Sequence, residues 1–145
     1  MGNFKLRITG DLGFEVWQDI AGFEGIYQVS TYGNVKSLER KVWNGYGYYT
    51  FKGGQKKLCP HKWGYCQIKL SIDNRDSMHL VHRLVAETFI PNFNNHPEID
   101  HIDGNPMNNR VENLKWVTHT ENMNNPITKD RISRGIKKIL QTFKI

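Results

Sequence analysis

The sequence predicts an α+β fold: a β-rich N-terminal half, then a strand–loop–strand–helix unit, then a basic C-terminal helix. Three observations carry this. Residues 26–38 form a hairpin signature, with Ile26-Tyr27-Gln28-Val29-Ser30 and Asn34-Val35-Lys36-Ser37-Leu38 flanking Tyr32-Gly33. Residues 65–72 alternate strictly, with Cys66, Ile68, Leu70 and Ile72 on one face and Tyr65, Gln67, Lys69 and Ser71 on the other. Two later stretches switch to helical spacing: Leu80, Leu84, Val85 and Phe89, and then Ile132, Ile136, Ile139, Leu140 and Phe143.

The elements follow in order. Residues 1–13 carry few organising signals and read as a leader. Residues 14–60 read as a β-rich module, in which Glu15-Val16-Trp17 precedes the Gly22-Phe23-Glu24-Gly25 turn. Residues 43–57, rich in Gly, Tyr and Lys, read as a loop or irregular hairpin. Residues 61–126 form the next unit. A strand turns at Asp73-Asn74-Arg75-Asp76, a helix runs from about Val81 to Phe89, and Pro91 stops it. Residues 91–97 have linker composition. Residues 127–145 form an amphipathic basic helix with Thr128 as its expected N-cap and its apolar stripe expected against the protein.

Composition narrows the function. The chain has 145 residues, two cysteines, and a net charge of +6. Two cysteines exclude a disulfide-stapled secreted miniprotein. No apolar run approaches membrane length, and the N-terminus lacks a signal-peptide stretch. An intracellular, cytoplasmic protein is therefore expected. The charge is uneven: −2 over residues 1–35, +7 over 36–69, −4 over 70–126 and +5 over 127–145. Two basic segments flank an acidic one. A uniformly basic binder has no use for an acidic centre, whereas an enzyme that holds a cation against phosphate does.

The acidic segment contains the chemistry. Asp100 and His101 are adjacent at a strand end, so their side chains face opposite ways and can serve one centre separately. Asp103-Gly104-Asn105 and Asn108-Asn109 make turns, residues 114–117 return, and Thr118 with Glu121 fits a capping box. Asn122 then faces back from the first helical turns. A hard cation takes oxygen ligands, and Asp100 and Asn122 supply them. Imidazole is the side chain best suited to accept a proton from water at physiological pH, which makes His101 the candidate base. The set suits metal-assisted phosphodiester hydrolysis, with Mg²⁺ as the expected ion and Mn²⁺ able to substitute. Zinc is not expected: six residues separate Cys59 from Cys66, outside the usual ligand spacing.

At Asp100-His101, Asn113 and Asn122 the stretch resembles the HNH nuclease motif, the ββα-metal (His-Me finger) unit of phage and intron homing endonucleases. It matches the His-Asn-Asn variant. The resemblance implies catalytic roles for Asp100, His101 and Asn122, and makes Asn113 the central asparagine, which closes the loop by hydrogen bonds. Residues 15–30, continuing through Gly33-Asn34-Val35-Lys36-Ser37-Leu38, resemble the NUMOD4 module that precedes such units. His82-Arg83-Leu84-Val85-Ala86 is similar to the lead-in helix of the same group. The family implies a metal-dependent endonuclease of double-stranded DNA, often a nicking one, at work in a phage-infected bacterial host. Many relatives add a C-terminal helix-turn-helix module; here the expectation is that it is absent or reduced to one basic helix.

The DNA contacts expected from the basic blocks are Lys36, Arg40, Lys41, Lys52, Lys56, Lys57 and Lys62, then Arg131, Arg134, Lys137 and Lys138. His82, Arg83, Arg110 and His119 are added near the site, although for His82 packing inside its helix is the stronger reading. Tyr46, Tyr48, Tyr49 and Phe51 interleave with lysines and either stack on DNA or form a small core. No obligate protein partner is evident. A DNA-binding regulator that keeps the fold without catalysis, and an RNA-directed protein, are the rival readings.

Overall fold

A computed structural model describes residues 13–142; residues 1–12 of the expected leader, and residues 143–145 of the expected terminal helix, lie outside the described residues. The N-terminal half contains a four-stranded antiparallel sheet in the order β1 (Trp17–Asp19), β2 (Tyr27–Ser30), β3 (Val35–Ser37) and β6 (Gly54–Gln55). Between β3 and β6 a hairpin projects, β4 (Arg40–Trp43) and β5 (Tyr48–Phe51), turning where Asn44 Oδ1 accepts from the backbone of Tyr46 and Gly47. The Gly- and Tyr-rich stretch is thus a regular hairpin. Its aromatics are not a core: Tyr46 is 98% exposed and Tyr48 74%.

Next comes a three-stranded sheet of β7 (Cys59–Pro60), β8 (Cys66–Ile72) and β9 (Arg75–Leu80). The alternation in β8 is realised, with Cys66, Ile68 and Leu70 buried. Asp73 and Asn74 both have positive φ, which lets two residues reverse the chain between twisted strands. Helix α1 (Val81–Phe89) buries Val81, His82, Leu84, Val85, Ala86 and Phe89. The asparagine-rich segment after it is pinned by Asn92, whose side chain both donates to the His96 carbonyl and accepts from the His96 N–H. Strands β10 (Glu98–His101) and β11 (Leu114–Val117) pair antiparallel, and α2 (His119–Asn124) and α3 (Pro126–Thr142) follow.

One core joins the halves. Ile20, Phe23, Tyr27, Val29 and Val35 pack in the same cluster as Ile68, Leu70, Val85, Phe89, Val111 and Leu114. The contact is also polar and close. The Val111 N–H donates to the Thr31 carbonyl at 2.9 Å, and the Arg110 guanidinium lies 3.8 Å over the Tyr32 ring. Gly33, at φ +83°, meets Asn109 so closely that an added Cβ would lie 2.8 Å from the Asn109 Cβ. Gly33→Ala is therefore expected to destabilise the fold by about 1–2 kcal/mol from backbone conformation alone, and more from the contact. Urea unfolding checks this; an unchanged midpoint would contradict it.

The terminal helix departs from expectation at both ends of the argument. It begins at Pro126 rather than near Thr128, because Asn125 Oδ1 accepts from the Ile127 N–H and Pro is well placed in a first turn. Its stripe does not lie on the protein. Ile132, Ile136, Ile139 and Leu140 are all exposed, and α3 has no buried residue. Its start is anchored, where Ile127 packs on Gly104 and the Arg131 guanidinium donates to the Gly104 carbonyl at 2.8 Å.

Candidate active site

The β10–β11 hairpin carries the site because its long loop is tied by side chains. Asn113 Nδ2 donates to Asp103 Oδ1 and to the Asn108 carbonyl, and Asn113 Oδ1 accepts from the Asp103 N–H. One buried amide thus closes the loop from both sides. Asp103 also accepts from Asn108 Nδ2 and from the Asn105 N–H, which with the Asn113 contact hold its carboxyl below the usual range. Asp103 shapes the turn.

Register places Asp100 opposite Lys115 and His101 opposite Leu114. Asp100 is buried, and its Oδ2 accepts from Asn125 Nδ2 at 2.7 Å and lies 3.5 Å from Lys115 Nζ. His101, on the other face, is buried beside Tyr65 and His82, with ring centroids at 5.9 and 5.2 Å. Thr118 and Glu121 form the expected capping box and start α2. Asp100, His101 and Asn122 all line one cleft of about 110 Å³, roofed by Ile127, Thr128 and Arg131 of α3. A larger depression of about 680 Å³ lies between the β4–β5 hairpin and the β8–β9 turn; it has carboxylates and cations but no histidine.

Glu98, which the sequence reading does not single out, holds Asn122 from behind. Its Oε2 accepts from Asn122 Nδ2 at 2.6 Å and its Oε1 pairs with His119 Nδ1 at 2.7 Å. These two contacts, Asn122 first, hold the Glu98 carboxyl below its ordinary value. With its nitrogen committed to Glu98, Asn122 has its Oδ1 as the side-chain atom left for another partner. The signal was available: Glu98 stands two residues before Asp100 on the same face of a strand. Asn109, Lys115 and Asn125 were also missed, and their loop and helix-end positions carry no periodic signal.

The donor set fits a hard divalent ion. Among the described residues there is no cluster of three or more His, Cys, Asp or Glu side chains that could hold a metal. One carboxylate and one amide oxygen on a cleft leave most positions for water and phosphate, as Mg²⁺ sites commonly do.

The other expected DNA contacts divide by exposure. Lys41, Lys52, Lys57, Lys62, His119, Arg131, Arg134, Lys137 and Lys138 are exposed, while Lys36, Arg40, Lys56, Arg83 and Arg110 are half-buried. Several lie over aromatic rings, among them Lys36 over Trp17 at 4.3 Å and Arg40 over Phe51 at 4.7 Å. Arg110 is engaged with Glu112 and Tyr32. His82 is buried, which fits packing and not a surface contact.

Burial first, then the charges of His101 and Arg83, push the His82 pKa down to about 4 from about 6.5. The folded state therefore binds this proton more weakly than the unfolded chain. Stability is whole above about pH 6.5 and falls as pH drops towards 4, by about 3 kcal/mol at the bottom. Urea midpoints between pH 7 and 4 should show this loss, and His82→Leu should reduce it. An equal loss in the variant would refute the assignment.

Comparison with known proteins gives a consistent family. The model of the NUMOD4 motif matches residues 15–71, and that of HNH endonuclease matches residues 79–124. The DNA endonuclease I-HmuI of Bacillus phage SP01 is 36% identical over 131 residues, covering 89% of this chain and 66% of its own length. The putative HNH homing endonuclease YosQ, derived from the SPbeta prophage of Bacillus subtilis (strain 168), is 43% identical over 68 residues, 45% of this chain and 37% of its own. This chain thus spans less than two thirds of these relatives. A solved structure described as DNA binding and cleavage by the HNH homing endonuclease I-HmuI aligns with a TM-score of 0.63 at 35% identity, covering 90% of this chain and 67% of that one. With both motifs present in order and the fold shared, the chain belongs to the HNH homing endonucleases that carry a NUMOD4 motif.

Proposed function

We propose that the chain is a divalent-metal-dependent endonuclease that hydrolyses phosphodiester bonds of double-stranded DNA, as a phage or intron homing or nicking enzyme. The observation that carries this is the convergence of Asp100, His101 and Asn122 on one cleft. HNH nucleases typically depend on a divalent metal, and the all-oxygen pair favours Mg²⁺ here, with Mn²⁺ as substitute. When bound, such an ion neutralises charge on the phosphate and on the departing oxygen. His101 accepts the proton of the attacking water. Asp100 and Asn122 hold the ion, Glu98 orients Asn122, and Asn113 keeps the loop closed.

In this reading residues 14–60 grip DNA, residues 61–126 cleave it, and residues 127–145 follow the backbone. Lys41, Lys52 and Lys57 meet phosphates beside the exposed tyrosines of the β4–β5 hairpin, and the cations of α3 do so near the cleft. The working compartment would be the cytoplasm of an infected bacterium. Among the described residues no helix is long and apolar enough to cross a membrane.

Incubating supercoiled plasmid with the protein, with Mg²⁺ or with chelator, tests the proposal. Metal-dependent conversion to nicked or linear DNA is expected; intact plasmid under both conditions would favour a silent DNA-binding regulator. One observation suits that second reading: Asp100 Oδ2 is already engaged by Asn125 and Lys115. Binding itself should be salt-dependent. With about six phosphate contacts, affinity should fall about a thousandfold between ~50 and ~200 mM salt. A flat titration would remove the basic blocks from the interface.

A further inference from the structure

We infer that Asn109 is a positioning residue for His101, clamped in place by the residue 31–33 turn of the N-terminal half. The inference rests on the reading of His101 as the base. Asn109 is 4% exposed, and its Oδ1 lies 3.0 Å from His101 Nε2. A buried amide needs partners at both ends. At the other end lies Cys66: burial pushes its thiol pKa up, and a hydrogen bond from Asn109 pulls it partly back. The amide is placed with its oxygen, and not its NH₂, towards the imidazole. His101 must then carry its proton on Nε2 and keep the lone pair on Nδ1. A base needs one tautomer and one ring orientation, and a fixed acceptor on the far nitrogen supplies both.

The clamp is a residue-by-residue match. Asn109 abuts Gly33, Arg110 covers Tyr32, and Val111 bonds to Thr31. The loop that aims the base is thus held by the hairpin turn of the β-sheet module, so correct docking of that module and orientation of His101 are one event. Asn113 spends its amide on Asp103 and the Asn108 carbonyl, so the two asparagines do different jobs.

The test uses the full chain and two readouts, ¹⁵N spectra of His101 without metal and single-turnover nicking with Mg²⁺. The unaltered protein and Asn109→Asp, which keeps an acceptor, should show the Nε2–H tautomer. Asn109→Ala should show a mixture of tautomers. Its single-turnover rate constant should fall about a hundredfold with half-saturating DNA within about threefold, and Asn109→Asp should recover to within about tenfold of the parent. An Nδ1–H tautomer in the parent, or an unchanged tautomer and rate constant in Asn109→Ala, overturns the inference. If Asn109→Ala does not fold, an Nδ1–H tautomer in Asn109→Asp overturns it just as well. A parent that fails to nick DNA while its tautomer responds to Asn109 supports the positioning and overturns the nuclease reading instead.

Discussion

His101→Ala is expected to abolish detectable nicking while leaving duplex DNA affinity unchanged. The imidazole is buried and is not among the proposed phosphate contacts, so those contacts survive its removal. Loss of a positioned general base costs about 10²–10⁴ in rate. A gel-shift titration beside the plasmid assay separates the two effects. Cleavage at the parental rate under saturating metal would remove His101 from the chemistry. The ring also packs against His82 and Tyr65, so an unfolding curve should accompany the assay to show that the variant is folded.

The second large effect is expected at Asp100. Asp100→Ala leaves the Asn122 carbonyl as the one remaining proposed ligand, a neutral oxygen without the charge that attracts a divalent ion. Stabilisation of transition-state charge by such an ion amounts to several kcal/mol, which is about a thousandfold in rate. Mn²⁺ binding followed by electron paramagnetic resonance should weaken in parallel. Parental rates at saturating Mg²⁺ would refute the ligand assignment.

Which parts were legible follows from where the signal lies. The β8 strand was read from alternation, and burial of Cys66, Ile68 and Leu70 repeats that alternation. The capping box at Thr118 and Glu121 is a local pattern with a local cause, and it sets the start of α2. The convergence of Asp100, His101 and Asn122 on one cleft was inferred from the chemistry of a short stretch and is what the fold places together. Less legible were contacts made by loops across the chain. Asn109 meets Gly33, 76 positions away, and no spacing rule links them. The stripe on α3 misled for a related reason. Period shows that a helix has an apolar face but not what covers it, and Ile136 and Leu140 remain exposed.

The common core of the two halves bears on how such proteins could diversify. Val29 and Val35 sit among Leu70, Val85 and Val111, so the β-rich portion is no detachable cassette. Exchanging it for a sequence of different target preference would strip apolar surface from the catalytic portion and loosen the loop behind His101. A graft should therefore carry the 109–111 stretch along with the donor's β2–β3 turn, or retain both from the recipient. The outward hairpin at residues 40–51 stands outside that shared interior, so its exposed tip can vary without disturbing it.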